Sequence, residues 1–405
     1  MAADPPRFVL FIPPVPSPPS LSSLQAAFGE TVTEVLKEVA SHSSESTKAS
    51  ILEIALAVPE LVSAPRTPRS KLYHSTQKSL AAVYKLIYVV AARDGINVED
   101  SDGVDVRVLL VGWSPESDAP GGQRSYGPVT DLQTMARSGR QWQYAFGVES
   151  EAGEAMVKAF VAAKGSGEQI KRVRSGPIMR EQGSQRTGES GHVAVSEQEQ
   201  HDGSRRHSHV AVGGTFDHLH IGHKLLLTMT IFAVDEPEGQ VEAQPERSAT
   251  IGITGDQLLK NKKHAEVLES WSDRQEAVKT FLDAILNFSD QPARTTTRDD
   301  PGPNGKSVDI HYDGGLTAKC TEIQDPFGPT ITEEQISALI ISSETRAGGK
   351  AVNDKRREKG WSELEVFEVD VLDAEEEGAE VKDGFANKLS STAIREKIAS
   401  KRRRI

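Results

Sequence analysis

The sequence predicts an α/β protein, with a doubly wound parallel sheet in its second half and a separate α/β region in its first. Three observations carry this. After residue 208, short apolar runs alternate with stretches whose apolar residues recur at helical spacing, which implies a parallel sheet with helices on both faces. Before residue 166, apolar runs and helical periodicities recur in the same manner. Between the two, 166–208 is dense in Gly, Ser, Glu, Gln and Arg. It cannot bury enough apolar surface to offset its ordering entropy, and it reads as a disordered linker. The expected division is therefore 1–165, 166–208 and 209–405.

In the first region, strands are expected at 8–12 and 104–113 and helices at 22–40 and 77–92; no catalytic motif lies there. Arg205, Arg206, His207 and His209 read as a solvated linker end rather than a basic patch or a metal tract. Strand 209–212 follows, then a helix over 221–234 with Leu225, Met229 and Phe232 on one face, then strand 250–253. Ser272 and Gln275 fit a capping box, with Val278, Phe281, Leu282 and Ile285 continuing the helix at the right spacing. Residues 235–247 and 287–306 read as polar surface loops. Strands are expected at 308–312, 319–323, 338–341 and 364–372, and a last helix from Ser391 to the end.

Composition narrows the function classes. A formal net charge of -12 over 405 residues argues against a general nucleic-acid binder, which needs clustered positive charge. Cys320 is the only cysteine, so an intramolecular disulfide or a cysteine-rich metal site is excluded and a reducing compartment is expected. The opening MAADPPRFVLFIPP has no basic leader and its apolar stretch is broken by prolines, unlike a secretory signal. The apolar run 79–92 is interrupted by Lys85 and is too short to span a bilayer. The expectation is a cytoplasmic protein with neither a nucleic-acid nor a membrane partner.

The chemistry concentrates in VAVGGTFDHLHIGH, which begins at Val210. Ligands of open parallel sheets sit beyond the carboxyl ends of the strands, and Gly213, Gly214 and Thr215 stand at such an end. Glycines let backbone N–H groups approach an anion, and the following helix directs its positive end to the same place. The corner suits phosphate, although it has neither the Walker nor the dinucleotide glycine spacing. His220 and His223, three residues apart, are able to face the same ligand, and Gly222 between them carries no side chain to obstruct it. Zinc is the weaker reading of these histidines, because no cysteine or carboxylate completes a tetrahedral set; no metal ligand is assigned. His218 reads as structural.

The pattern G-T-F-D-x-x-H-x-G-H resembles the signature of the HxGH nucleotidyltransferase superfamily, and LSSTAIR at 389–395 resembles that superfamily's second element. With ITGDQLLKNK, the DPFGP run at 325–329 and IISSETRAGGKAVNDKRR, residues from about 210 to 400 resemble phosphopantetheine adenylyltransferases of the eukaryotic type. The resemblance implies a Rossmann-like fold and transfer of AMP from ATP, with Mg²⁺, to 4'-phosphopantetheine. The products would be dephospho-coenzyme A and pyrophosphate, in coenzyme A biosynthesis. It implies that His223 stabilises the transition state, that His220 contacts the ATP phosphates, and that Thr215 with the backbone of Gly213, Gly214 and Phe216 holds ATP. Thr215 would also hold the acceptor phosphate. Ser390, Ser391, Thr392 and Arg395 would hold the β- and γ-phosphates. Lys260, with Lys262 as an alternative, and Arg346 would hold the phosphopantetheine phosphate. Taken alone, Ser390, Ser391 and Thr392 would read as a helix N-cap.

Two competitors remain at this stage: another HxGH enzyme, such as a cytidylyltransferase or a nicotinate-mononucleotide adenylyltransferase, and a scaffold whose N-terminal region recruits other coenzyme A enzymes.

Overall fold

The computed structural model describes residues 5–43, 49–63, 67–98, 103–116, 126–165, 169–177, 205–237, 246–370, 372 and 390–402. The first half comprises β1 (Arg7–Ile12), α1 (Leu21–Ser43), β2 (Ser50–Ala57), α2 (Glu60–Ser63), α3 (Arg69–Asp94), β3 (Val104–Val111), β4 (Val129–Thr130), α4 (Leu132–Arg137), β5 (Tyr144–Val148), α5 (Glu151–Lys164) and β6 (Ile170–Val173). Its six strands form one parallel sheet in the order β4-β3-β2-β1-β5-β6. The fully buried β2 reads SILEIALA, an apolar run apart from Ser50 and Glu53, as a strand covered on both faces requires. Local chemistry sets helix ends: Ser150 caps α5 by accepting from the Gly153 amide, and Gly165 closes it at φ +70°.

The second half comprises β7 (His209–Gly214), α6 (Ile221–Phe232), β8 (Arg247–Thr254), α7 (Trp271–Leu286), β9 (Arg294–Asp299), β10 (Lys306–Tyr312), β11 (Leu316–Ile323), β12 (Ala338–Ser342), α8 (Arg346–Glu358), β13 (Glu365–Val369) and α9 (Ser391–Arg402). The sheet runs β13-β12-β7-β8-β11-β10-β9. Five strands are parallel, as the alternating pattern implies; β10 and β9 extend the edge as antiparallel strands. The order reverses between β7 and β12, so the crevice expected of an open sheet lies at the carboxyl ends of these two strands.

Several sequence expectations are corrected. Part of the expected linker 166–208 is ordered: β6 pairs with β5, the Thr31 hydroxyl donates to the Arg174 carbonyl, and the Gly176 amide donates to Ala27. At the other end His207 is fully buried, its ring within 2.9 Å of the Ser337 hydroxyl and 3.0 Å of Glu365. Polar composition concealed these contacts, because apart from β5 the partners lie more than a hundred residues away. The rest of that segment, 166–168 and 178–204, lies outside the described residues, as do 238–245 and Leu389. The cap of α7 is Ser270, which accepts from Asp273 N, rather than Ser272; both are serines at an acidic helix start. Within the expected loop 287–306, Arg294–Asp299 forms β9, whose residues are all exposed. An exposed edge strand has no buried face and so shows no apolar alternation.

The two halves are not separate cores. One apolar cluster runs through both. Helices α6 and α7 pack on strands of their own sheet and also on β3 of the first. Tyr73 of α3 packs against Phe367 of β13 (ring centroids 4.6 Å apart), and Arg69 stacks over Phe232 of α6 at 4.8 Å. This explains why IGHKLLLTMTIF is apolar nearly all round: ten of the twelve α6 residues are buried, as a helix covered on every side must be.

Candidate functional site

Residues 215–220 connect β7 to α6 at the sheet's switch point. Here the chain adopts unusual backbone: Phe216 and His218 take φ of +53° and +46°. Such conformations persist only where neighbouring contacts over-determine them. Arg274, fully buried on α7, donates from Nη1 to the Thr215 carbonyl (2.7 Å), from Nε to the Glu269 carbonyl (3.1 Å) and from Nη2 to Asp256 (2.7 Å). Asp217, also fully buried, accepts from the Glu269 amide (2.9 Å) and from Arg395 Nη1 (2.6 Å). The His218 amide donates to Glu269, and its Nε2 donates to the Val267 carbonyl at 2.9 Å. His218 is thereby spent on holding the loop. Phe216 is buried, with its ring 5.4 Å from that of His223. A Cβ on Gly214 would come within 3.0 Å of the Phe216 ring, so glycine is what admits the aromatic side chain there.

His220 occupies the N-cap position of α6 and stacks on His223, with centroids 3.9 Å apart and planes inclined by 21°. The Nδ1 atoms of both rings are buried without a hydrogen-bond partner among the described residues. Burial, reinforced by His223, Lys224 and His218, pushes the His220 imidazole well below its ordinary value. Burial likewise lowers His223 to about 4, with Asp217 opposing. Both rings are neutral at pH 7 and stand at the α6 N-terminus, whose positive end suits an anion.

A cavity of about 590 Å³ opens here. Gly213, Gly214, Thr215, Phe216, His220 and His223 line one side, and Ser390, Ser391, Thr392 and Arg395 line another. The rest of the wall includes Leu226, Leu339, Ile341 and Val352, an apolar surface beside the polar corner. Tertiary folding thus joins two motifs about 170 residues apart: the Ser391 hydroxyl lies 3.5 Å from His220 Nε2. Ser390 serves both as a cap, accepting from the Ala393 amide at 3.2 Å, and as a lining residue. Arg395 is buried. It donates to Asp217, to the Lys263 carbonyl (3.0 Å) and to Thr392 Oγ1 (3.2 Å).

Two expected residues are not brought in. Lys260 is exposed and outside the lining, whereas Lys262 lines the cavity. Arg346 points away: its side chain is 70% exposed and forms a two-bond pair with Glu368, although Glu344, Thr345 and Gly348 of the same segment line the wall. Conversely, Asp217, Glu269 and Arg274 were missed. Arg274 had a sequence signal, since it precedes Val278 by one helical turn on the apolar stripe of α7 and a charge there demands a partner.

Comparison with known proteins agrees with this geometry. A cytidylyltransferase-like family model matches residues 211–397, and a domain of unknown function (DUF8446) matches 1–179. An uncharacterised protein of Schizosaccharomyces pombe is 38% identical over 190 residues, and the phosphopantetheine adenylyltransferase of Saccharomyces cerevisiae is 34% identical over 190; each match covers 47% of this chain and 48% of that protein. The chain thus spans about half the length of these two relatives. The phosphopantetheine adenylyltransferase of Methanothermobacter thermautotrophicus is 30% identical over 191 residues, which are 47% of this chain and 85% of that protein. Through the half that builds the histidine corner and its cavity, the chain belongs to the phosphopantetheine adenylyltransferase family.

Proposed function

We propose that the chain transfers the adenylyl group of ATP to 4'-phosphopantetheine, giving dephospho-coenzyme A and pyrophosphate in coenzyme A biosynthesis. The observation that carries this reading is the meeting of two neutral imidazoles, whose Nδ1 atoms have no hydrogen-bond partner among the described residues, with the α6 and α9 N-termini in one cavity. An acceptor phosphate oxygen attacks the α-phosphorus, the bond to the β-phosphate oxygen breaks, and pyrophosphate leaves. The nucleophile is already an anion, so no general base is needed. The required groups are donors that stabilise charge on five-coordinate phosphorus and on the leaving group. His223 and His220 serve the α-phosphate, and the glycine turn with Thr215 holds the acceptor and ATP. Ser390, Ser391, Thr392 and Arg395 hold the outer phosphates. Lys262 suits the acceptor phosphate better than Lys260 does, because it reaches the cavity.

Mg²⁺ enters as the ion carried by the ATP triphosphate, which asks few ligands of the protein. Among the described residues no helix is long and apolar enough to cross a membrane, and buried Cys320 suits a reducing compartment; we assign the reaction to the cytoplasm. The test is pyrophosphate release from ATP and Mg²⁺ with 4'-phosphopantetheine, for the wild type and His223→Ala. The expected result is acceptor-dependent release that falls at least about a hundredfold in the variant. Absence of release from the wild type, or release only with CTP or with nicotinate mononucleotide, would overturn the reading.

A further inference from the structure

We propose that the N-terminal half acts on this site: Asp105 is a positioning residue that sets His223 through Lys224. The inference rests on the adenylyltransferase reading. Lys224 follows His223 directly on α6, and its side chain is 6% exposed. It crosses to the first sheet, where Nζ donates to Asp105 Oδ1 and, at 2.9 Å, to the Val106 carbonyl. Asp105, 25% exposed, is gripped on its other oxygen by Arg107 through Nε (2.9 Å) and Nη2 (2.6 Å). Burial works against the Asp105 carboxylate, but Lys224 and Arg107 outweigh it and hold the group ionised.

A second clamp acts on α7. Arg140 donates to the carbonyls of Ala284 (2.6 Å) and Asn287 (3.1 Å) at that helix's C-terminal end. Arg140 is itself fixed by Glu53, fully buried in β2 and also bonded to Arg7 (2.6 Å) and Trp142 (2.8 Å). The other end of α7 carries Arg274, which holds the Thr215 carbonyl. The first half therefore grips both helices that shape the corner. Its own sheet reverses strand order between β1 and β5, yet Pro13, Pro14 and Pro16 occupy the turn after β1. Proline has no N–H, so this turn offers little to a phosphate.

The grip matters because neither Nδ1 of the histidine pair has a hydrogen-bond partner among the described residues to orient it. Ring position then follows where α6 sits. A buried ion pair adds little stability over an apolar pair of similar volume, but it is directional and fixes one register and rotation of the helix. A misplacement of about 1 Å at a reacting centre costs up to about a hundredfold in rate.

The test compares full-length wild type, Asp105→Asn, Lys224→Met and the double variant by steady-state kinetics, unfolding midpoint and NMR titration of the His223 ring. Asp105→Asn is expected to lower kcat about tenfold with KM for ATP within about twofold, and to shift the His223 ring signals. The double variant is expected to regain part of the unfolding midpoint without regaining kcat, since it removes the unpaired Lys224 charge but leaves Arg107 without its carboxylate and α6 without its anchor. A lowered midpoint with wild-type kcat per folded molecule, or restored kcat in the double variant, would overturn the proposal. Should Asp105→Asn fail to fold, the double variant decides by the same kcat criterion. If the wild type releases no pyrophosphate, the adenylyltransferase reading fails by itself. The His223 signals then judge the anchor, and their constancy across the variants would reject it.

Discussion

Asp217→Asn isolates the contact that joins the two motifs. The native carboxylate is fully buried between the Glu269 amide, 2.9 Å away, and Arg395 Nη1 at 2.6 Å, with only 3% of the Arg395 side chain exposed. Asparagine keeps the shape and one acceptor. If its oxygen stays on the Glu269 amide, its NH₂ faces the guanidinium, donor against donor. Removing one partner of a buried pair costs about 3–5 kcal/mol, because the other charge is left unpaired in a poorly hydrated place. Arg395 retains the Lys263 carbonyl and Thr392 hydroxyl, which favours the lower end, about 3 kcal/mol. Since α9 carries Ser390, Ser391 and Thr392 into the cavity, KM for ATP should rise as well. Urea titration followed by tryptophan fluorescence gives the stability change, and hydrogen exchange over α9 should locate it. Asp217→Asn/Arg395→Met, which leaves no uncompensated charge, should recover most of the stability while ATP affinity stays low. A loss below about 1 kcal/mol in the single variant would mean that the pair is replaceable by solvent, and the coupling argument would fail.

Two further outcomes follow from the same geometry. Arg274→Met removes the donor to the Thr215 carbonyl and two other bonds, so it should cost about 3 kcal/mol and raise KM for ATP; unchanged ATP affinity measured by titration calorimetry would show that the loop holds itself. The folded His223 value of about 4 lies below the ordinary 6.5, so its contribution to stability is present above pH 6.5 and is lost as pH falls toward 4. That contribution is about 3 kcal/mol, and denaturation at pH 7.5 and 4.5 should show a loss that His223→Gln reduces but does not abolish, because burial lowers His220 as well; an identical pH slope in the variant would refute the assignment.

Much of the candidate site was legible in one dimension because its chemistry is local. A glycine turn at a strand end, histidines at i and i+3, and hydroxyls at a helix start are each fixed by a few consecutive residues. Arg346 illustrates the limit. Its place in the segment after β12 was foreseeable, but its direction is set by Glu368 on the neighbouring strand β13, a pairing that exists only once the sheet has formed. Lys260 and Lys262 differ in the same way, since a short irregular turn decides which of two exposed lysines faces the cavity. Asp217 and Arg274 lie inside or beside readable motifs, yet their roles depend on partners in other elements.

By itself, then, the sequence determined the alternation of strands and helices, the phosphate-type corner and its second motif, because periodicity and short-range spacing encode them. The tertiary structure alone decided that the two halves share a core, that His207 is buried, and that Lys224 reaches back to Asp105. A buried charge declares itself in sequence only as an anomaly, and its partner is chosen by packing between segments far apart in the chain.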